Sequence, residues 1–313
     1  MFAPHLEVVV ETLETMTYEV TGKIARITLN RPSRGNGITL SLPRELAACV
    51  ERANLDPAVH VIALSGNGPG FCGGYDLVES AEGRGTNRDD PAIPAGSPID
   101  PLVVAQNHLP DGTWDPMVDY AMMSRNVRGF MSLFHGDKPV VCKVHGFCVA
   151  GGTDMALCSD LLVIADDAKI GYPPARVWGS PTTSLWFYRL GLEKAKRLLF
   201  TGDCLSGKEA KEWGLAIESA PPDKLDERFE TLLGRIARMP INQLVMMKLL
   251  LNQTLLAQGL HTTQLVGTVF DGITRHTKEG YAFQQRAVEA GFKQAVRERD
   301  EPFGDFGRST FKG

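Results

Sequence analysis

The chain has no apolar run long enough for a bilayer, since Leu161 to Ala165 and Leu249 to Leu251 fall far short of the ~20 residues a spanning helix needs. No basic region followed by an apolar stretch opens it either, because Glu7, Glu11 and Glu14 interrupt Val8, Val9 and Val10. No signal peptide and no membrane partner are therefore expected, and the chain is placed in the cytoplasm. An excess of positive charge is also missing: 33 Lys and Arg stand against 37 Asp and Glu, a formal net charge of -4. Without a broad basic surface, nucleic acid is not an expected partner. The six cysteines (Cys49, Cys72, Cys142, Cys148, Cys158, Cys204) form no CxxC pair, and no histidines stand at ligand spacing. Neither a disulfide framework nor a metal site is expected, and the thiols read as buried in a reducing compartment. Absent too are internal repeats, a GxGxxG fingerprint and a GxSxG element.

What remains is an ordinary globular composition over 313 residues, 43% hydrophobic and 22% charged, enough for a large core plus an appendage. Tyr18 to Asn30 alternates around Thr21-Gly22 in the manner of a hairpin. From Ser41, an expected N-cap, Leu42, Leu46, Cys49, Val50 and Ala53 recur at helical spacing. Val61 to Ser65, Val140 to Val144 and Leu161 to Ala165 read as buried strands separated by helical segments. That order implies an α/β fold with parallel pairing. Between Ala81 and Gly112 the sequence is loaded with Gly, Pro, Asp and Asn without periodicity, which predicts a long surface insertion, either a lid or a passive loop. After Pro221-Pro222 the pattern becomes helical, and Tyr281 to Arg299 reads as one amphipathic helix.

Two glycine elements stand out. Gly70-Phe71-Cys72-Gly73-Gly74-Tyr75-Asp76-Leu77 follows the strand at Val61, where glycine lets an amide point at a ligand instead of pairing in a sheet. Alone, it is equally a turn. The second runs from Val144-His145-Gly146 to Gly151-Gly152-Thr153-Asp154-Met155, where a strand ends and a helix begins. Free N–H groups and the positive end of the helix dipole there suit an oxyanion.

Taken in order, the motifs resemble the crotonase family, also called the enoyl-CoA hydratase/isomerase family, over most of the chain. Asn30-Arg31-Pro32 with Asn36-Gly37 is similar to its NRPxxxNA segment, and Phe71 to Leu77 to FxAGADL. Lys138-Pro139-Val140 with Val144-His145-Gly146 is similar to KPVIAAVNG, and Gly151 to Met155 to GGGxEL. Thr201-Gly202 with Glu209-Ala210 and Trp213-Gly214-Leu215 is similar to TGxxxxAxEAxxxGLV. The resemblance implies a spiral of ββα units over residues 15–225, interrupted by the insertion at about 80–125. It also implies a helical oligomerisation domain over 226–313 that builds a homotrimer or a dimer of trimers. It assigns the amides of Gly73 and Gly151 to a thioester oxygen, and lines the substrate with Gly74, Tyr75 and Asp76. Arg34 is expected to meet phosphates. Coenzyme A enters as part of the acyl-CoA substrate, so no separate cofactor is implied.

The family's hydratases use two carboxylates. Asp154 matches the first, one methylene shorter, and is expected to transfer protons; burial raises its pKa while the helix dipole lowers it. Pro174 stands where the second belongs, and proline exchanges no proton, so two-carboxylate hydration is put in doubt. Arg176 reads as an anchor for a carboxylate, and His145 as a structural histidine. Asp111, Asp115 and Asp119, or Tyr75 and Tyr172, are available as substitutes, with no role assigned. The leading reading is hydration or double-bond isomerisation of an enoyl-CoA through an enolate. The alternatives are a silent acyl-CoA-binding subunit and an acyl-CoA hydrolase of the same fold.

Overall fold

In the computed structural model, which describes residues 9–76 and 93–304, a short strand β1 (Glu11–Thr12) leads into the expected hairpin. Strands β2 (Met16–Thr21) and β3 (Ile24–Leu29) pair antiparallel about the turn at Gly22. Parallel addition of β4 (Val61–Gly66), β5 (Val140–Val144), β7 (Leu161–Ala165) and β10 (Glu218–Ala220) completes a sheet of order β1-β2-β3-β4-β5-β7-β10. The central strands are covered on both faces, which is why their sequences are apolar runs and not alternations. A second sheet, order β6-β8-β9, is made of three-residue strands: β6 (Phe147–Val149), β8 (Lys169–Gly171) and β9 (Cys204–Ser206). Mixed sheets wound with helices match the spiral α/β architecture that the resemblance implies.

The helix Ser41–Leu55 buries Leu42, Leu46, Cys49, Val50 and Ala53, the stripe read from its spacing. Its cap differs from expectation: Ser41 is already helical, Leu40 takes the N-cap position, and no side chain caps it. The stretch read as aperiodic also differs. Residues 77–92, which include Leu77 of the first glycine element and the start of this stretch, lie outside the described residues, but helix Pro101–Asn107 forms within it and helix Pro116–His135 follows. Aspartates at both N-caps, Asp100 and Asp115, accept the amides of Leu102 and Met117, so polar residues that suggested loop are helix starts. Gly129 lets the second of these helices lie against Pro43, since a Cβ there would fall 2.4 Å from the Pro43 Cβ.

The C-terminal part is helical: Leu225–Ile236, Ile241–Ala257, Leu260–Arg275, Lys278–Ala290 and Phe292–Asp300. The single helix expected over Tyr281 to Arg299 is two, broken at Gly291 with φ 85°. Phe283, Ala287 and Ala295 then pack together with Trp178, a small second core. All six cysteines are free and buried. No helix among the described residues is long and apolar enough to cross a membrane.

Candidate active site

Asn36 fastens the loops that carry the first glycine element. Its side-chain amide donates to the carbonyls of Asn67, Gly70 and Phe71 at 2.9, 3.0 and 3.0 Å, and its carbonyl accepts from Arg31 N at 2.8 Å. The element runs alongside β6: Phe71 N donates to Phe147 O at 2.9 Å, and Val149 N to Cys72 O at 3.0 Å. Both glycine elements are thereby brought to one place, the wall of a cavity of about 1560 Å³ lined by Gly73, Tyr75, Ala150 and Gly151.

Gly73 does not supply the amide expected of it. Its N–H donates to Gly35 O at 2.9 Å, so its hydrogen is already held by the protein. Two residues on, Tyr75 N has no acceptor among the described residues, although its neighbours pair with Ile38 through Gly74 O and Asp76 N. Gly151 N, at the first position of helix Gly151–Ala156, likewise has no intrahelical acceptor. The two segments are neighbours: a Cβ on Gly151 would lie 2.7 Å from the Tyr75 ring, and one on Gly74 3.5 Å from Gly151 N. Two unusual conformations aim them. Gly74 has φ 99°, and Ala150, just before the helix, has φ 55° and ψ -130°. For an alanine that conformation costs of order 1–3 kcal/mol, and such strain at a helix N-terminus facing a cavity is a mark of a binding site.

Asp154 is 1% exposed and does not lie on the cavity surface. Its Oδ1 accepts from Thr183 N at 3.2 Å and Thr183 Oγ1 at 2.9 Å, while Oδ2 is buried without a partner. Burial pushes its carboxyl up to about 7, against the lowering bonds from Thr183. Pro174 does line the cavity, at the position where a second carboxylate was looked for.

Arg34 and Asp76 hold each other, Nη2 to Oδ1 at 2.7 Å and Nε to Oδ2 at 3.2 Å, with Arg31 Nη1 3.0 Å from Asp76 Oδ2. Arg34 therefore braces Asp76, and the arginines that line the cavity are Arg31, Arg44, Arg275 and Arg299. Arg176 anchors two carboxylates, Asp203 and Asp300, at 3.1 Å each with 1% of its side chain exposed. His145 Nε2 bonds Gly68 O at 2.8 Å, a structural role. Asp115 is a helix cap.

Sequence reasoning missed a buried polar cluster contributed by the helices Pro101–Asn107, Pro116–His135 and Leu260–Arg275. Asp119 Oδ2 accepts from Trp114 Nε1 at 2.7 Å and Asn107 Nδ2 at 3.2 Å, and lies 2.9 Å from His276 Nε2. Asp119 Oδ1 lies 3.2 Å from Arg275 Nη2 and 3.6 Å from His108 Nε2. His108, Asp119 and His276 bring ligand atoms within 4.8 Å of one another. The Arg275 guanidinium already neutralises Asp119, and a cation would have to displace these donors. Asp271 lies beside the cluster and lines the cavity; its Oδ1 accepts from Ser180 N at 3.3 Å and its Oδ2 is 3.3 Å from Arg275. Burial raises its pKa, Arg275 lowers it and Asp119 raises it. No local signal marks Asp271 in the sequence, because its importance comes from a contact with residues about ninety positions away.

A family model described as enoyl-CoA hydratase/isomerase matches residues 19–94 and 115–294. A crystal structure of an enoyl-CoA hydratase from Mycobacterium smegmatis is 58% identical, with TM-score 0.89, covering 96% of this chain and 98% of that one. A Rhizobium meliloti protein named "Probable enoyl-CoA hydratase" is 28% identical over 289 residues, 90% of this chain and 98% of that protein. The 1,2-epoxyphenylacetyl-CoA isomerase of Escherichia coli is 26% identical over 253 residues, 77% of this chain and 82% of its own length.

Proposed function

Because the chain belongs to the enoyl-CoA hydratase/isomerase family, we propose that it transforms an acyl-CoA thioester by stabilising the enolate of that thioester between the N–H groups of Tyr75 and Gly151. The observation that carries this reading is the pair of adjacent backbone amides, unpaired within the described chain, on the wall of one cavity. Charge that grows on the thioester oxygen during α-proton transfer is met there by two preorganised donors and the N-terminal end of a helix. Removing one donor from such a site typically costs about 10² to 10³ in rate. The reaction is hydration of a 2-enoyl-CoA or migration of its double bond, both of which pass through that enolate. Coenzyme A is part of the substrate, and its phosphates would lie towards Arg31 and Arg44.

Hydrolysis through a cysteine is disfavoured, because burial pushes the Cys72 thiol up to about 12 and holds it protonated. A silent acyl-CoA-binding subunit remains the second reading, favoured by Pro174 in the cavity wall. Purified protein incubated with 2-enoyl- and 3-enoyl-CoA thioesters in heavy water decides between them. Turnover, or exchange of the acyl α-proton, is expected. Tight binding with neither, across chain lengths, would leave the binding subunit.

The helix Ile241–Ala257 exposes Met246, Met247, Leu249, Leu250 and Leu251, each between 47% and 66% accessible in the single chain. We assign this face to contact between copies, in a trimer or a pair of trimers, as a hydrophobic patch left to water would favour association. Sedimentation showing a monomer at micromolar concentration would overturn that assignment.

A further inference from the structure

We propose that Asp271, carried by the C-terminal helix Leu260–Arg275, is the carboxylate that exchanges protons with the acyl group, in place of the one that Pro174 cannot supply. The inference rests on the enolate reading above and names the group that serves it. Among the described residues, the carboxylates that line the cavity are Glu14, Asp76, Asp271, Glu289 and Asp300. Asp76 is held between Arg31 and Arg34, and Asp300 between Arg176 and Arg299. Glu14 is exposed, and the Glu289 side chain is 53% exposed, so solvent competes for both. His108, also on the wall, turns its Nε2 to Asp119 and bonds Val104 O through Nδ1 at 2.8 Å. Tyr75 and Tyr172 line it too, and burial raises their proton affinity well above the ordinary phenol value, so they stay protonated and serve poorly as bases. Asp154 lies behind the surface.

Asp271 differs from Asp76 and Asp300, which also line the cavity and are buried, in having one arginine partner, at 3.3 Å, where each of them has two at 3.1 Å or less. It is 7% exposed, and its two long contacts, to Ser180 N and Arg275, leave lone pairs for a third partner. The loop that places it continues from the second-carboxylate segment: Gly179 N donates to Thr274 Oγ1 at 2.9 Å and Ser180 N to Asp271 Oδ1. The helix therefore delivers a carboxylate to the stretch of wall that Pro174 opens. Its proton affinity is set by burial, by Arg275 on its own helix, by Asp119 and His108 from the helices packed against it, and by the nearby Asp154, Tyr75 and Tyr172.

The step balances with this one group. The Asp271 carboxylate takes the acyl α-proton, and the C–H electron pair moves to the thioester oxygen held by the two amides. The carboxyl then returns the proton, to the same carbon in exchange or to the γ-carbon in double-bond migration, and the carboxylate is restored. A positioned proton-transfer group of this kind contributes about 10²- to 10⁴-fold.

The test compares wild type, Asp271→Asn and Asp154→Asn as full chains, following α-proton exchange of butyryl-CoA and isomerisation of a 3-enoyl-CoA in heavy water, with calorimetric binding of butyryl-CoA to each. Asparagine at 271 keeps an acceptor for Ser180 N. Asp271→Asn is expected to bind within a few-fold of wild type and to lose at least ~10²-fold in exchange, while Asp154→Asn still exchanges and shows a displaced pH profile. Should Asp271→Asn fail to bind, Asp271→Glu restores the carboxylate and is expected to regain exchange; a Glu variant that binds but stays inactive counts against the proposal. Undiminished exchange in Asp271→Asn overturns this assignment and leaves the enolate reading standing. Absence of exchange in wild type overturns the enolate reading and this inference with it.

Discussion

The buried carboxyl of Asp154 makes a prediction about stability that needs no substrate. Replacing Asp154 by asparagine removes a group whose pKa rises from 3.8 to about 7 on folding. Folding therefore takes up a proton between these values: the stability that this group lends is complete below about pH 4 and is lost as pH rises through about 7. At roughly 1.4 kcal/mol per pKa unit the whole effect is about 4 kcal/mol, of which about 3 kcal/mol falls between about pH 5 and about pH 8.5. Asparagine preserves the acceptor for Thr183 N and Thr183 Oγ1 but puts an NH₂ where Oδ2 has no partner. That adds a pH-independent penalty of about 1–3 kcal/mol. The difference between the two proteins at the two pH values cancels the penalty. Urea unfolding at fixed protein concentration, run at about pH 5 and about pH 8.5, should show wild type losing roughly 3 kcal/mol more than Asp154→Asn across the interval. Equal losses would mean that the carboxyl is ionised in the folded chain and that the burial argument is wrong.

Gly74→Ala forces a side chain into φ 99°, with its Cβ 2.8 Å from that of Ala150. It should turn the Tyr75 amide and lower turnover by about 10²-fold with little change in acyl-CoA binding, read from kcat and titration. Arg176→Met takes one arginine from each of two buried carboxylates, Asp203 and Asp300, which keep Arg197 and Arg299, and should lower the unfolding free energy by roughly 2 kcal/mol in urea. Gly146→Ala would place a Cβ 1.9 Å from Pro69 O at φ 58°; a loss of ~3 kcal/mol or more is expected, and a variant of wild-type stability would contradict the packing.

The central strands were legible because double-sided burial writes itself as runs such as Val61 to Leu64 and Leu161 to Ala165. The three-residue strands β6, β8 and β9 carry too few residues for a period, and they emerge only once the main sheet is in place. Helix Pro101–Asn107 hid in a polar stretch because its N-cap aspartate counts equally as a loop signal. The break at Gly291 had a signal, a glycine in an otherwise continuous pattern, and it was passed over. Within the site, the glycine elements were readable as motifs, but which amide is free was not: Gly73 N is taken by Gly35 O, a pairing across nearly forty residues. Asp271 was hidden for the same reason, being significant only through what the fold lays beside it.

The turn at Gly291 couples ligand binding to the stability of distant parts of the chain. By reversing the chain it brings Phe292, Val296, Arg299 and Asp300 onto the same cavity that Arg31 and Ile38 line from the other end of the sequence. A ligand that fits there ties together segments far apart in the sequence, so its binding energy opposes fraying of the helices Lys278–Ala290 and Phe292–Asp300 as well as melting of the core.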